Sequence, residues 1–390
     1  MSYVLRDYQQ KASDAAVSFF ANKTKRNNAI MVLPTGAGKS LVIADIASRL
    51  EGHTLVFQPS KEILEQNYLK LCSYGILDCS VYSASFGRKD ISRITFATIG
   101  SVKNHPELFQ HFRNIIIDEC HLVNPKEGMY KDFLTMLQCK VLGLTATPYR
   151  LSSSRDFGSM LKFITRTRPC VFSEVIYQVQ ISTLLDMGYL SKLNYYAMNP
   201  LGWNELNLKV NTTGADYTDK SVVKEYERID FYGFLVSIVR RLMNPKVGGK
   251  RKGILVFTRF LKEAQRLTQS IPGTAIVSGD TPKKERERIL EEFKAGEIPV
   301  VANVGVLTTG FDYPELDTIV MARPTMSLAL WYQIVGRAIR PHPTKEAGWI
   351  VDLCGNIKRF GEVKDLRLVN GGNGKWAVFS NNRQLTNVRV

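Results

Sequence analysis

Residues 33–40 read Leu-Pro-Thr-Gly-Ala-Gly-Lys-Ser, after the apolar run Ala29-Ile-Met-Val-Leu33 and before an apolar, helix-compatible stretch. Glycines in such a turn let backbone N–H groups face phosphate oxygens. Lys39 can reach the β- and γ-phosphates, and the Ser40 hydroxyl can hold Mg²⁺. The chemistry this loop serves is ATP binding, through Pro34, Thr35, Gly36, Ala37, Gly38, Lys39 and Ser40. Further along, Asp118 and Glu119 close the apolar run Ile115-Ile-Ile117. A carboxylate pair at the end of a buried strand suits one group to Mg²⁺ (Asp118) and the other to polarising an attacking water (Glu119). His121 reads as a coupling residue and not a metal ligand, because no second ligand stands at metal-binding spacing.

The third chemical segment is Gln333-Ile-Val-Gly-Arg-Ala-Ile-Arg340. On a helix, Gln333, Arg337 and Arg340 recur at i, i+4 and i+7 and project from one face. Arg337 and Arg340 are candidate arginine fingers, placed to stabilise charge on a γ-phosphate from a neighbouring domain.

Positioning these groups requires strands that end where the loops begin. Short apolar runs alternate with helical stretches throughout, the pattern of a parallel sheet covered by helices. The candidate buried strands are 29–33, 54–57, 115–117, 141–144, 253–257, 275–277, 300–302 and 318–321. An internal echo accompanies them: Leu55-Val-Phe-Gln-Pro-Ser-Lys-Glu-Ile-Leu-Glu-Gln66 resembles Leu255-Val-Phe-Thr-Arg-Phe-Leu-Lys-Glu-Ala-Gln265, one domain length later. The expected division is 1–170 for the first domain, 171–362 for the second, and a 363–390 tail. That tail reads as a β-hairpin turning at Asn370-Gly-Gly-Asn-Gly374. Residues 201–219 read as an insertion or long loop.

The chain carries 52 basic and 36 acidic residues, a net charge of +16. Clustered cations gain affinity by displacing counterions from phosphates, so this excess points to a polyanion partner. Residues 1–150 hold 18 basic and 13 acidic side chains, so +11 of that charge lies in residues 151–390. Six scattered cysteines without a CxxC pair argue against a zinc site or a disulfide framework and fit a reducing, cytoplasmic setting. The start Met1-Ser-Tyr-Val-Leu-Arg-Asp has no basic head followed by an apolar run. No apolar stretch reaches transmembrane length, so no membrane partner is expected.

In this order the motifs resemble those of the superfamily 2 helicases, over nearly the whole chain to about residue 360. Leu in place of Gly at position 33 is a departure that this superfamily tolerates. The resemblance implies an α/β fold of two tandem RecA-like domains with a short C-terminal β appendage, and an ATPase that uses Mg²⁺ and acts on nucleic acid. Leu5-Arg-Asp-Tyr-Gln9 looks like the adenine-reading motif, with Gln9 on the base edge and Arg6 supporting it. Thr145-Ala-Thr147 is similar to the coupling motif, in which Thr145 and Thr147 act with His121. Leu307-Thr-Thr-Gly-Phe-Asp312 looks like motif V, with Gly310 and Asp312 facing the nucleotide and Thr308 toward DNA. Ser60, Lys61, Thr98, Thr258 and Arg259 fall at the family's strand-tracking positions.

Leu5-Arg-Asp-Tyr-Gln-Gln10, Leu33-Pro-Thr-Gly-Ala-Gly-Lys-Ser-Leu-Val-Ile43 and Leu307-Thr-Thr-Gly-Phe-Asp312 resemble the motifs of RadD-like bacterial DNA-repair helicases, and phage-encoded branch-migration helicases share the same core. The chain departs from the RadD pattern by stopping soon after the motor, without the cysteine-rich module. Single-stranded, forked or branched DNA is the implied substrate, with replication or repair proteins as further partners. RNA is less favoured, because Asp118-Glu-Cys-His121 replaces the Asp-Glu-Ala-Asp box of the largest RNA group. A restriction-motor subunit would need a companion nuclease motif. An inactive scaffold would normally lack Lys39, Glu119 or Arg337.

Only 20 residues separate Asp312 from Gln333, which leaves no room for a long strand-separating hairpin. Such an element is expected in 201–219 or in the tail. In the tail, Phe360, Trp376 and Phe379 are interspersed with seven cations from Lys358 to Arg389. Those aromatics either stack on exposed bases or anchor a hairpin against the second domain.

Overall fold

In a computed structural model the chain forms two parallel sheets and a small antiparallel one. It describes residues 4–24, 27–137, 139–154, 158–198, 206–245, 251, 253–307 and 313–388. The first sheet has the order β10-β1-β7-β6-β2-β5-β3-β4. Its strands are β1 (Ala29–Val32), β2 (Thr54–Phe57), β3 (Cys79–Ser83), β4 (Arg88–Lys89), β5 (Ile94–Ala97), β6 (Asn114–Asp118), β7 (Lys140–Thr145) and β10 (Glu174–Gln178). A two-stranded ribbon, β8 (Tyr149–Ser154) and β9 (Gly158–Phe163), precedes β10. The second sheet, all parallel, runs β11-β16-β15-β12-β14-β13. These strands are β11 (Lys192–Ala197), β12 (Ile254–Thr258), β13 (Thr274–Val277), β14 (Val300–Val304), β15 (Thr318–Ala322) and β16 (Ala347–Asp352).

All eight apolar runs are strands, and each lies within a sheet. Among the strands the sequence reading missed, β5 is buried throughout and β3 nearly so, like those it found, whereas β10 and β11 have a different look. β11 alternates exposed and half-buried residues, and β10 is half-buried throughout, because each occupies a sheet edge where one flank meets no further strand. The internal echo has a structural meaning. β2 lies between β6 and β5, and β12 lies between β15 and β14, each followed by a helix that returns to the next strand. The two segments occupy the same place in two copies of one topology. In the second sheet, Leu255, Phe257 and Val301 join the core on one face, while Ile254, Val256, Val300 and Ala302 join the core on the other. Both faces are therefore covered, as continuous apolar strands require.

Two expected boundaries move. β10 pairs in parallel with β1, from Ala29 opposite Glu174 to Val32 opposite Gln178, so the first sheet runs past residue 170. The crossing to the second sheet is made by the helix Ile181–Asp186 and the segment up to β11. The tail begins at β17 (Leu366–Asn370), which forms the expected hairpin with β18 (Trp376–Ser380), and β19 (Arg383–Gln384) extends it to a three-stranded antiparallel meander.

The meander docks on the first domain's side. Trp376 stacks on Phe163 of β9, with ring centroids 6.3 Å apart. The Gln180 amide donates to the Leu368 carbonyl (2.8 Å) and accepts from its N–H (3.0 Å). Asn387 accepts from the Phe163 N–H (3.1 Å) and donates to the Trp376 carbonyl (3.0 Å). Of the two readings of the tail, Trp376 follows the packing one, with the correction that it anchors on the ribbon strand β9 and not on the second domain. The 201–219 segment is likewise laid down rather than raised, as far as it is described. Val210 and Tyr217 bridge across a tight turn, and Arg259 holds Asp216 and Asp219.

Trp376→Ala should lower the unfolding free energy by about 2 kcal/mol, less than a fully buried tryptophan because the ring is half-buried. A denaturant melt measures this. A loss below about 0.5 kcal/mol, the range of ordinary surface substitutions, would show that the meander is not docked.

Candidate nucleotide site between the two domains

The turn after β1 is built by two glycines in the left-handed region, Gly36 (φ 84°) and Gly38 (φ 77°), and Gly38 starts the helix Lys39–Arg49. The N-terminal helix Asp7–Ala21 fastens this turn. Tyr8 Oη (2.8 Å) and Gln9 Nε2 (2.9 Å) both donate to the Ala37 carbonyl, and Gln9 Oε1 accepts from the Arg6 N–H (2.9 Å). A Cβ on Gly38 would stand 2.5 Å from Gln9 Nε2, so the approach requires glycine there. Arg6 lies over the Tyr189 ring, 4.1 Å from its centroid, and Tyr8 packs against the same ring. Tyr189 belongs to the inter-domain crossing, and no spacing in the sequence marked it.

Across the turn stand the acids at the end of β6. Glu119 adopts a left-handed conformation (φ 50°), and its N–H donates to Asp118 Oδ1 at 2.9 Å. A non-glycine residue held there costs on the order of 1–3 kcal/mol, so the surroundings must over-determine it. They do. Lys39 Nζ lies 3.4 Å from Glu119 Oε1, and His121 Nδ1 lies 3.3 Å from Glu119 Oε2. The same His121 nitrogen meets Thr145 Oγ1 at 2.9 Å and Thr147 Oγ1 at 3.1 Å. Thr145 Oγ1 also accepts from the Thr147 N–H (3.0 Å). Lys39, Glu119, His121, Thr145 and Thr147 thus form one connected polar chain, although they come from three separate stretches of sequence.

Burial, reinforced by the neighbouring Glu119, pushes the Asp118 carboxyl up to about 7. Glu119 is buried too, but Lys39 and His121 outweigh that penalty and hold it down at about 2. The pair shares roughly one negative charge, which sits on Glu119 beside the ammonium. A divalent cation fits this donor set. Burial disfavours the charged form of the Asp118 carboxyl, and a cation would favour it. Ser40, in the first turn of the P-loop helix, is the hydroxyl that would join it.

The second domain closes over the turn. Thr35 N–H hydrogen-bonds to the Tyr332 hydroxyl, and a Cβ on Gly336 would come 2.7 Å from Thr35 Cγ2. A Cβ on Gly36 would meet Leu190 at 2.8 Å, with Ile339 and Arg340 close behind. Arg337 is 8% exposed; burial takes its guanidinium down to about 10, partly offset by the Glu119 carboxylate. Burial also lowers Arg340.

The expected single helix face carrying both arginines is corrected. The helix is Leu328–Val335, so Gln333 is on it but Arg337 and Arg340 are not. From Gly336 the backbone tightens, with Arg337 N–H donating to Ile334 O and Ala338 N–H to Val335 O, both at 3.0 Å. The segment still lies against the turn: the Glu119 charge acts on Arg337, and Arg340 Cγ stands beside Gly36.

Ser60 caps the helix Lys61–Ser73. Lys61 donates to the Ser85 carbonyl and Thr98 meets Ser101 Oγ (3.0 Å), which in turn accepts from Ala84 N–H (3.0 Å). The three candidates on the first domain are therefore gathered around the turn 84–86, where Lys61 and Arg88 flank Phe86. Thr258 and Arg259 are corrected. Thr258 is fully buried and donates to Asn303 O (3.3 Å). Arg259 holds Asp216 (2.9 Å), Asp219 (2.8 Å) and Tyr217 O (2.7 Å) with its guanidinium. Thr308, Gly310 and Asp312 lie outside the described residues.

Residues 2–150 match the family model described as type III restriction enzyme, res subunit, and residues 236–342 match the helicase conserved C-terminal domain. The chain is 26% identical over 368 residues to a DNA 3'-5' translocase XPB2 of Sulfurisphaera tokodaii, covering 86% of this chain and 78% of that one. It is 24% identical over 322 residues to a 51.5 kDa protein of Lactococcus phage (isolate 7-9), covering 80% and 63%. Of other relatives it spans about half the length, 50 to 58%. The fold superposes on the DNA-bound type ISP restriction-modification enzyme LlaBIII with a TM-score of 0.65, at 18% identity over 90% of this chain and 28% of that one. On Saccharomyces cerevisiae Dbp5 the TM-score is 0.58, at 14% identity over 92% and 88%.

Glu119→Gln keeps the shape of this side chain and removes its charge, so ATP binding should persist while turnover falls on the order of 10²–10⁴-fold. Equilibrium nucleotide binding and single-turnover hydrolysis separate the two effects. Turnover within a few-fold of the parent would take Glu119 out of the chemistry.

Proposed function

We propose that this chain, a member of helicase superfamily 2, is a nucleic-acid-stimulated ATPase that couples Mg²⁺-dependent ATP hydrolysis to movement on DNA or its remodelling. One observation carries this reading: the two halves of a hydrolysis site lie on different domains and meet. Lys39, Asp118 and Glu119 come from the first sheet, and Arg337 from the second lies close enough for the Glu119 charge to act on it. A nucleotide held by both halves binds the closed arrangement better than an open one. Its binding and hydrolysis therefore shift the free energy of closure, and that differential affinity is the physical source of motion.

In this reading Lys39 and the N–H groups after Gly36 hold the phosphates, and Glu119 takes the proton of the attacking water. Arg337 and Arg340 face the charge that develops on the transferred phosphoryl group. Asp118 and Ser40 would hold Mg²⁺, which would supply charge neutralisation for the phosphates. His121, Thr145 and Thr147 carry the state of Glu119 toward the ribbon β8–β9. Arg6 and Gln9 read adenine. Each end of the Gln9 amide uses one site within the protein (Arg6 N–H and Ala37 O) and retains a second for the base edge. Gly310 and Asp312 complete the nucleotide contacts on the strength of the motif alone.

DNA is the favoured track because relatives named as a DNA translocase and a DNA helicase align over most of the chain. The +16 charge suits either nucleic acid. Ser60, Lys61 and Thr98 suit phosphate contacts that carry no base code. Repair, recombination or branch migration is the corresponding task, in the cytoplasm of a bacterium or of a phage-infected host.

ATPase rates should therefore rise with single-stranded, forked or four-way DNA more than with RNA, and fall steeply between about 50 and 200 mM salt. Equal stimulation by RNA would move the assignment to an RNA helicase; no stimulation by either would leave a nucleotide-binding scaffold. GTP should be a poor substrate, and Gln9→Ala should narrow the preference for ATP. Equal turnover of both nucleotides by the parent would dismiss the adenine-reading role.

A further inference from the structure

We propose that Lys345 is a positioning residue for the arginine-bearing segment 337–340, its ammonium joining that segment to the loop that follows motif V. The inference rests on the ATPase reading above. Lys345 is 8% exposed and donates to three backbone carbonyls, Pro314 O (2.8 Å), Ala338 O (3.1 Å) and Leu316 O (3.2 Å). An ammonium has three N–H donors and no acceptor, so these contacts use its full capacity. Burial, offset by Asp317 and reinforced by Arg340, takes its pKa down to about 8. A group with that much to lose by leaving water is retained where three converging carbonyls need a donor.

The need arises because the helix stops at Val335. Carbonyls past a helix end have no partner within it and must find one elsewhere. Ala338 O takes Lys345. Ile339 O accepts from Ser191 N–H (2.8 Å), and Arg340 O accepts from Ser191 Oγ (3.0 Å). Three successive carbonyls, flanked by Arg337 and ending on Arg340, are thus pinned by two residues outside the segment. Behind them Gly348 packs so closely that a Cβ would come 2.6 Å from Ala338 O. Ser191 follows Leu190, which lies against Gly36 of the P-loop, so the second clamp also reports the position of the first domain. Pro314 and Leu316 stand directly after the 307–312 stretch. One ammonium therefore ties residues 314–316 to the segment 337–340, and a finger displaced by about 1 Å can lose on the order of 10²-fold in rate.

The test is a double-mutant cycle on DNA-stimulated ATPase of the full chain, with Lys345→Met, Arg337→Ala and both together. Lys345→Met should lower kcat at least ~10-fold while the KM for ATP stays within ~3-fold, and Lys345→Arg should recover part of the loss. In the Arg337→Ala background, Lys345→Met should change kcat less than ~2-fold, because the finger it positions is already gone. Equal losses in both backgrounds, or a KM effect without a kcat effect, would overturn the proposal. If Lys345→Met does not fold, as judged by its melting curve, Ser191→Ala replaces it in the cycle, with the same non-additivity expected. If Arg337→Ala leaves kcat unchanged, the finger assignment itself fails, an outcome distinct from failure of the Lys345 role.

Discussion

The carbonyl of Ala37 is the point on which the nucleotide site is hung. It is pinned by Tyr8 and Gln9 from the N-terminal helix, within a turn whose two left-handed glycines no other residue type accommodates without strain. Pinning one peptide fixes the direction of the N–H groups that follow and the start of the helix bearing Lys39. The other face of the same turn meets Tyr332, Gly336 and Leu190. A short loop is thereby held from two domains at once. The approach is close enough that a single added Cβ at Gly36 or Gly336 would collide across it.

Electrostatics adds a second constraint on the same atoms. Two carboxyls at the end of one buried strand cannot both carry charge cheaply, and the Lys39 ammonium decides which one does. Glu119 also adopts a backbone conformation that costs free energy, and Lys39 and His121 hold it there. Any ligand that draws Lys39 toward itself loosens that hold, and His121 passes the change to Thr145 and Thr147. In the proposed mechanism, the coupling would run along this connected polar chain.

The C-terminal meander shows how the two domains are tied beyond the site. It leaves the second domain after Phe360 yet packs on β9 and on Gln180, at the first domain's side of the crossing. Leu366, Leu368 and Val378 line one apolar cavity with Pro34, Pro148 and Tyr332. The tail therefore shares walls with the P-loop and with the segment after Thr147. The tail thereby packs on both domains.

What the sequence determined by itself was local. A glycine turn before a helix, an acid pair ending an apolar run and eight buried strands are legible because each depends on residues adjacent in the chain. The tertiary structure decided everything that depends on distance. It alone showed that Gln9 grips the P-loop, that Thr258 and Arg259 face inward, and that Arg337 and Arg340 leave their helix before reaching the site. It also supplied Tyr189, Ser191 and Lys345, which sit in no motif. Their roles come from carbonyls and rings contributed by segments far away in sequence. A residue type states which hydrogen bonds and charges are possible, but only packing determines which partner stands within 3 Å.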